Sequence, residues 1–598
     1  MVRSAGAWAL VSLGVVGCAR PWVDDLQTDR ERLRQQVLEE AREAVARPGS
    51  NTAGSAADAS DASDREAVDA TVEPRPAVSD VERRLSEDRL AELNRISGAQ
   101  AYEDAQVQPG VDLLGREDPE AVDLSLAEAV RLAVDNNLDF SVARLSPQIA
   151  RQQLAQAQAA FDWTLFADTN WQKLDTPQPA GSVPGLSNDL KQENFVLNTG
   201  VRKLTDTGAT VALSTAIARN ERIPSFFAVN RYYDADVQVS IDQPLLRGFG
   251  SETNRAEIVL ARNAESSARF EVKQNLDTLV REVEAAYWDL DLARRRLLIQ
   301  QRLLERTTAE RDRLEQRADF DVSPVRITEA NSRVELRRSD LIRVRAAVRT
   351  ASDRLKRLIN SDRLPLTDET WIRATDQPSA SVVRWNLVDE VASALQNRPE
   401  LSRALLNISD TTVRQRLADN ALLPRLDVTA ALGFNGIDAD DWADAYGDLA
   451  DGNYVDYILG LSFEQPLGNR AAEALGRQRE LESRQATLAY RRAAQDVVLE
   501  VKNALRDVLT SFELVSATRA ARWAAADSLR SINVQEEVGV ALTEEFLLDL
   551  KLNAQERLAS AETQEAQALS DYQTAIAELY RATGTLAERY GVEVRDED

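Results

Sequence analysis

The chain contains two stretches of roughly 68 residues that are typical of uninterrupted helix, and each follows an alternating segment ending in Gln-Pro-Leu. The first runs from about Glu252 to Asp319 and the second from about Arg470 to Glu537. A helix of that size is about 100 Å long, whereas a mean globular helix has about 11–12 residues. No single globular core covers such a rod along its whole length, so other helices must lie beside each one.

Both long stretches carry a seven-residue apolar repeat. It consists of Leu276, Val283, Leu290, Leu297 and Leu304 in the first stretch and of Val501, Val508 and Val515 in the second. A sustained period of 3.5 residues predicts left-handed supercoiled packing against neighbouring helices. A free-standing coiled coil is the alternative, and the strands attached to each helix argue against it.

Charge and composition exclude several functions. The chain of 598 residues has a formal net charge of −26 and no histidine. The negative charge disfavours nucleic acid as a partner, because phosphate binding needs a basic patch. The absence of histidine removes the commonest metal ligand and acid–base group. Since there is also no Gly-rich phosphate loop, we expect neither an enzyme nor a bound cofactor or metal.

The only cysteine, Cys18, ends a short apolar segment. Residues 5–17 are too short for a transmembrane helix, and Val15-Val16-Gly17-Cys18 resembles the bacterial lipoprotein cleavage box. The resemblance implies removal of a signal peptide at 1–17 and acylation of Cys18, and Ala19 favours an outer-membrane destination in a Gram-negative bacterium. An ordinary signal peptide with a chance cysteine is the alternative.

The remaining chain divides into segments that suggest an internal duplication. Residues 18–120 form an acidic, lipid-anchored and largely disordered segment, and folded structure is expected from about Leu124. Residues 124–360 and 385–590 then repeat short helices, strands, a long helix and its return helix, with a linker at 361–384 and a tail at 591–598. The expected class is α+β, mainly α, with two internal repeats.

The strands carry the pattern of barrel staves, about ten alternating residues separated by turn residues. In residues 426–434, for example, every second residue is apolar. The pattern predicts four strands in the first repeat and two in the second. Six strands are too few to close a water-filled barrel, whereas three copies would supply eighteen. A soluble sandwich, or a hairpin lying outside a smaller barrel, are the alternatives.

The layout over residues 124–590 resembles the TolC family of outer-membrane channels. The resemblance rests on Leu126-Ala-Glu-Ala-Val130 with Asn136-Asn137, both Gln-Pro-Leu ends, Glu537-Val-Gly539 with Thr543, and the closing helix 568–584 with Asp571-Tyr572 and Ala575. It implies a homotrimer in outer-membrane lipid, with a transmembrane β-barrel shared by the trimer and continuous with a periplasmic α-helical coiled-coil barrel. It also implies a closed tip that is opened by a periplasmic adaptor and an inner-membrane pump of RND or ABC type. The family has four strands per subunit, so six strands would give an eighteen-stranded rather than a twelve-stranded barrel.

Candidate site residues lie at the strand ends and at the helix tips. Pro244 and Pro466 would break the chain between strand and long helix. The tip candidates are Asp319, Asp321, Glu544, Glu545, Phe546 and Asp549. Threefold symmetry would turn an inward carboxylate into a ring, and such rings select or hold cations.

The family pattern narrows the choice at the second tip. In the family an acidic pair one turn apart lines the constriction. Asp549 matches the second of those positions, whereas Phe546 occupies the first. A one-ring gate and an apolar constriction both stay open, and solvated turn residues are the third interpretation.

The function expected from these features is passive conduction. The chain would be the outer-membrane component of a tripartite efflux pump or type I secretion system. A lipid-anchored periplasmic adaptor of the same kind of pump is the alternative, because adaptors also combine a lipid anchor with long helical hairpins.

Overall fold

The computed structural model describes residues 71–76, 80–102, 121–177, 189–223, 229–317, 323–538 and 544–592, together with single residues and short pieces between 32 and 116. Two compact units result. The first comprises 1–37, 153–263 and 405–487, and the second 38–152, 264–404 and 488–598. Cys18 with the signal peptide, Asp319, Asp321, and the end of the tail lie outside the described residues.

The strands, in chain order, are β1 (Thr71–Val72), β2 (Ala121–Leu124), β3 (Thr164–Pro177), β4 (Asp189–Leu204), β5 (Thr210–Ile223), β6 (Arg231–Pro244), β7 (Trp371–Ala374), β8 (Trp385–Asn386), β9 (Arg425–Asp438) and β10 (Val455–Glu464). The helices are α1 (Asp80–Arg84), α2 (Glu87–Ile96), α3 (Leu126–Asn136), α4 (Leu138–Gln158), α5 (Ser251–Asn254), α6 (Ala256–Gln316), α7 (Pro324–Ile359), α8 (Leu387–Asn397), α9 (Pro399–Ala421), α10 (Trp442–Ala450), α11 (Arg470–Val538), α12 (Glu544–Thr583) and α13 (Leu586–Arg589).

The first unit is built on one antiparallel sheet, which we call the main sheet. Within the described residues it has six strands in the order β10-β9-β6-β5-β4-β3. Four come from residues 164–244 and two from 425–464, and every neighbouring pair is antiparallel. The tight turn between β4 and β5 contains Gly208 at φ 90°. A Cβ there would lie 2.5 Å from Gly248 O, so the turn requires glycine.

The strand-to-helix connection after β6 is more broken than the sequence suggested. β6 ends at Pro244, which has no N–H to continue the ladder. The expected unbroken helix from Glu252 is instead α5 followed by α6, with Arg255 between them in a non-helical conformation. The Asn254 side-chain amide donates to Gly248 O and Gly250 O, both at 2.9 Å, and this tie to the loop explains the interruption. In the second half, Pro466 lies between β10 and the uninterrupted 69-residue α11.

The second unit is helical, and its core uses the seven-residue repeat. In α6, Leu276, Val283, Leu290 and Leu297 are buried together with Leu355 and Ile359 of α7. In α11, Val501, Val508 and Val515 are likewise buried. The predicted packing of the long helices against neighbours is therefore confirmed, because an apolar repeat on a solvated helix would stay exposed.

Short helices in the two halves begin in the same way. Ser125 Oγ accepts a hydrogen bond from Glu128 N at the start of α3, and Asn386 Oδ1 accepts one from Val388 N at the start of α8. Both are N-caps. The similarity is consistent with a duplication, which stays an interpretation.

Two segments contain more structure than the sequence suggested. Within residues 361–384, interpreted as a linker, β7 pairs in parallel with β2, because buried Trp371, Ile372 and Ala374 join the helical core. Ahead of Leu124, where folded structure was expected to begin, residues 87–102 pack on the long helices; we call them the N-terminal strap. Its Leu93 is fully buried against Trp523, Ala526 and Leu558.

Candidate functional site

One face of the main sheet is apolar and exposed. On β10 this face carries Tyr457, Leu459, Leu461 and Phe463, and Leu459 is 83% exposed. Leu165 on β3 is 76% exposed, and Leu213, Val239 and Ile241 continue the face across the central strands. A continuous apolar surface of this kind marks a contact with lipid or protein rather than with water.

The opposite face of the same strands is polar. On β6 it carries Asp234, Asp236, Gln238, Ser240 and Asp242, which alternate with the apolar side chains. Two of its contacts cross between strands. Asn220 Nδ2 donates to Asp234 Oδ2 at 2.6 Å, and Thr429 Oγ1 donates to Asp242 Oδ1 at 2.6 Å. The sheet therefore separates an apolar from a hydrophilic surface.

Charged residues border the apolar face at both ends of β4. Lys203 at one end lies over the Trp163 ring, 5.5 Å from its centroid, and Glu193 at the other end accepts a hydrogen bond from Trp171 Nε1 at 3.1 Å. The intervening residues on this face, Val201, Thr199, Leu197 and Phe195, carry no charge. Lys203 and Glu193 are ten residues apart, which corresponds to about 33 Å along the strand. If the strand is tilted by about 40° from the barrel axis, this distance is roughly 25 Å along the axis, which is the height of the apolar band of membrane barrels.

The main sheet is open in a single chain. β3 and β10 are its edges, since each pairs with one strand within the described residues. Because the six strands alternate in direction, these two edges run in opposite directions. Pairing β10 of one copy with β3 of the next would continue the antiparallel ladder and satisfy the free backbone groups of both edges.

The second unit contains the tip candidates. Glu544, Glu545 and Phe546 form the first turn of α12. The Asp549 side chain is 59% exposed, and its Oδ1 lies 2.9 Å from Arg333 Nη2 of α7. Asn553 Nδ2 donates to Asp549 Oδ2 at 3.0 Å. Of the six tip candidates, Asp549 is the one for which the described residues show a cross-helix ion pair.

Further ion pairs near the tips were not found from the sequence. Arg337 of α7 pairs with Glu556 of α12 at 2.8 Å. The nearly buried Lys551 lies 2.7 Å from Glu310 of α6 and 2.8 Å from Glu536 of α11. Arg333, Arg337 and Lys551 thus connect α12 to three other helices. A sequence search for gate residues overlooks them because the cations lie outside the acidic pattern.

The N-terminal strap makes a second set of contacts with the long helices. The buried Arg522 guanidinium donates to Ser97 O at 3.0 Å and to Asn94 Oδ1 at 2.9 Å, and its Nε bonds Glu565. Tyr102 OH and Gly98 N donate to Glu562, at 2.9 and 3.2 Å. Burial is the main cause that raises the pKa of Glu562.

Burial also perturbs a carboxyl group in α6. It raises the pKa of Asp277 to about 6, against the smaller opposing effect of a hydrogen bond from Ala587 N. Within the described residues the Asp277 carboxylate forms no ion pair, so the rise in its pKa reflects desolvation.

The chain is similar to a family of outer-membrane proteins and to several solved membrane-protein structures. Residues 391–585 match the family model described as outer membrane efflux protein. No curated protein matches the chain. A membrane protein from Pseudomonas aeruginosa is similar over 77% of this chain and 93% of its own, with 20% identity and a TM-score of 0.56.

Two further solved structures share the fold. The match with the Campylobacter jejuni CmeC outer membrane channel covers 77% of this chain and 86% of the CmeC chain, with 14% identity and a TM-score of 0.55. The match with the open state of the Neisseria gonorrhoeae MtrE outer membrane channel covers 77% of this chain and 88% of the MtrE chain, with 18% identity and a TM-score of 0.53.

In the part of the chain that the structure describes, no helix is long and apolar enough to cross a bilayer.

Proposed function

Since the chain has the fold of TolC-family outer-membrane channels and carries an outer membrane efflux protein domain at residues 391–585, we propose that it is the outer-membrane channel of a tripartite efflux pump or type I secretion system. It conducts substrates passively from a periplasmic adaptor and an inner-membrane pump to the outside. The mature chain is anchored through acylated Cys18.

The open main sheet is the observation that carries this proposal. Its apolar face has the height of a bilayer core between charged borders, and its two edges run in opposite directions. Three copies would join β10 to β3 at three seams and close a barrel of about eighteen strands. Barrels of about 16–18 strands leave an aqueous channel, and here the polar face with Asp234, Gln238 and Asp242 would line it.

An exposed apolar stripe on α4 supports assembly with further copies. Leu138, Val142, Leu145 and Ile149 are half or more exposed. Their spacing of four, three and four residues places them on one side of the helix. That spacing is typical of a helix packed against another helix, and a neighbouring copy supplies the partner in a trimer.

The pair between Arg333 and Asp549 supports a gate at the tip of the helical unit. It joins α7 to α12 in one chain, so moving these helices apart requires breaking it. In the proposed closed state Arg333 holds Asp549, and the adaptor and pump open the tip by separating the helices. Glu544, Glu545 and Phe546 remain gate candidates beside Asp549, and Asp319 and Asp321 remain candidates in the other turn.

Purification from outer membranes tests the assembly. We expect a detergent-extracted trimer that shifts to monomer on heating in a gel and that forms ion-conducting pores in planar bilayers. A water-soluble monomer without pore activity after removal of the lipid anchor would contradict the channel and favour the lipid-anchored adaptor.

A further inference from the structure

A helix packs on the apolar face of the main sheet. This helix, α10, lies between β9 and β10 in the chain and across β9 and β6 in space. Its Ala445 is fully buried, and so is Ala235 of β6 beneath it. A Cβ at Gly436 would lie 1.9 Å from Ala445 O, so the glycine makes room for the helix.

Aromatic contacts fix one flank of α10 on the sheet. The Trp442 ring packs edge-on against Tyr233 at 5.4 Å between centroids and lies 6.5 Å from Phe195. The Tyr446 and Thr215 hydroxyls are 2.6 Å apart. Trp442 and Tyr446 remain more than a third exposed, so each ring touches the sheet on one side only.

The position of α10 along the strands coincides with the border of the apolar face. Tyr233, Phe195 and Arg219 form one row across β6, β4 and β5. The next row outward on the same face carries Glu193, Glu221 and Arg231. The helix therefore lies where charged side chains, beginning with Arg219, replace the apolar ones, at the level where a barrel passes from lipid chains to head groups.

The two flanks of α10 differ in polarity. Successive helical residues are 100° apart, so Trp442 and Asp444 lie about 200° apart, as do Tyr446 and Asp448. The side turned away from the sheet carries the small uncharged Ala443, Gly447 and Ala450. Charge is thus confined to one flank, while the aromatic flank and the outer side carry none.

We propose that α10 is an interfacial lipid-binding helix at the outer surface of the membrane. Its aromatic flank contacts the acyl chains beside the barrel, and Asp444 and Asp448 face the head groups and water. A helix with this segregation lies in the plane of the bilayer interface, and Trp and Tyr are enriched at that depth. The assignment rests on the proposed function, because it takes the apolar face of the main sheet to be the lipid-facing one.

Nitroxide labels on the full-length protein in liposomes test the depth of each flank. Labels at Tyr446→Cys and Asp448→Cys report the two flanks, Leu459→Cys reports the bare apolar face, and wild type with its single Cys18 gives the background. We expect oxygen to be more accessible than a water-soluble nickel chelate at positions 446 and 459, and the reverse at 448.

The outcomes separate the two proposals. Lipid exposure at 459 with water exposure at 446 overturns the interfacial helix and leaves the barrel standing. Water exposure at both positions overturns the barrel as well. A label at 446 that neither reagent reaches indicates coverage by a neighbouring copy, which also overturns the lipid contact.

Two glycine substitutions test whether the space above Gly436 positions α10 on the sheet. Gly436→Ala should displace α10, because its Cβ has no room, and should increase the mobility of the label at Tyr446→Cys. Gly433→Ala is the matched control on the same strand, since its Cβ would meet only Asp456 Cβ at 3.6 Å. If the label is equally mobile in both variants and both are still trimeric, the space above Gly436 does not position the helix.

Discussion

At the scale of single residues, the ion pair of Asp549 with Arg333 is the contact on which the proposed gate depends. Asp549→Asn removes the charge from one partner while keeping the side-chain shape, so α7 and α12 lose an attraction near the tip. We expect a larger open probability in planar bilayers and weaker block by divalent cations.

The control for this gate variant removes an ion pair that joins no helices. Glu335 and Arg338 pair at 2.6 Å within α7, so Glu335→Gln should leave conductance unchanged. If Asp549→Asn behaves like Glu335→Gln in conductance and cation block, Asp549 is not part of the gate.

Asp277 makes a second prediction, about pH. Its pKa in the folded chain is raised from 3.8 to about 6 by burial, so the folded state binds the proton more tightly than the unfolded state. Asp277 therefore contributes most to the free energy of unfolding below about pH 4. That contribution is lost as the pH rises through about 6. A difference of about two units corresponds to at most about 3 kcal/mol.

The variant Asp277→Asn should remove this pH dependence. Hydrogen exchange of the α6 amides, measured in wild type between pH 4 and 7 and corrected for the intrinsic rate, should show opening that becomes easier as pH rises. The variant should show a flatter profile. Parallel profiles in the two proteins would mean that Asp277 does not titrate in this range.

At the scale of elements, buried polar contacts of Arg522 hold the N-terminal strap on the long helices. Arg522→Gln leaves the buried Glu565 with the partly exposed Arg519, at 3.1 Å, as its remaining cation among the described residues, and breaking a buried pair costs at most about 3–5 kcal/mol. We expect faster hydrogen exchange in α2 and in the facing part of α12, and earlier proteolysis of the strap.

Arg530→Gln is the matched control. It also removes a strap contact, with Glu92 at 2.6 Å, but both side chains are about a third or more exposed. Such pairs contribute at most about 1 kcal/mol. Similar exchange in the two variants would contradict a special role for the buried Arg522 network.

Elements with strong local patterns could be predicted from the sequence, and elements defined by distant partners could not. The alternating segments coincide with β3–β6, β9 and β10, and the seven-residue repeat coincides with the buried sides of α6 and α11. The strap was missed because Arg522 meets Ser97 across 425 residues of chain, and no local pattern records such a contact. Helix α10 was missed because its stability depends on space above Gly436.

The candidate site shows the same division. The sequence located Asp549 through its position near a helix tip, but it did not identify Arg333, which is 216 residues away. The strand end at Pro244 follows from proline chemistry alone. The interruption at Arg255 does not, since it depends on where the Asn254 side chain finds carbonyl partners.

At the scale of the whole molecule, the edges of the main sheet predict how copies join. Ala167 lies on β3 and Leu461 on β10, both exposed. Cysteines at these positions, or at Ala167 and Leu459, should form disulfides between copies and give covalent dimers and trimers, because the edges meet in an antiparallel ladder.

The control moves one cysteine to a central strand. Leu213 on β5 already has β4 and β6 as neighbours, so Leu213→Cys with Leu461→Cys should give no covalent oligomers. Oligomers in this control, or none in the edge variants, would contradict seams between β10 and β3.

The unequal lengths of β9 and β10 have a consequence for the outer rim. β10 begins opposite Phe434, whereas β9 continues to Asp438, so the wall drops by four residues, about 13 Å of strand, at one edge of each chain. In a ring of three copies the rim would be scalloped, with one low point per seam. Each low point adjoins the chain that leaves β9 for α10. The cell-surface opening of the channel would therefore have three recesses, one beside each α10, rather than an even edge.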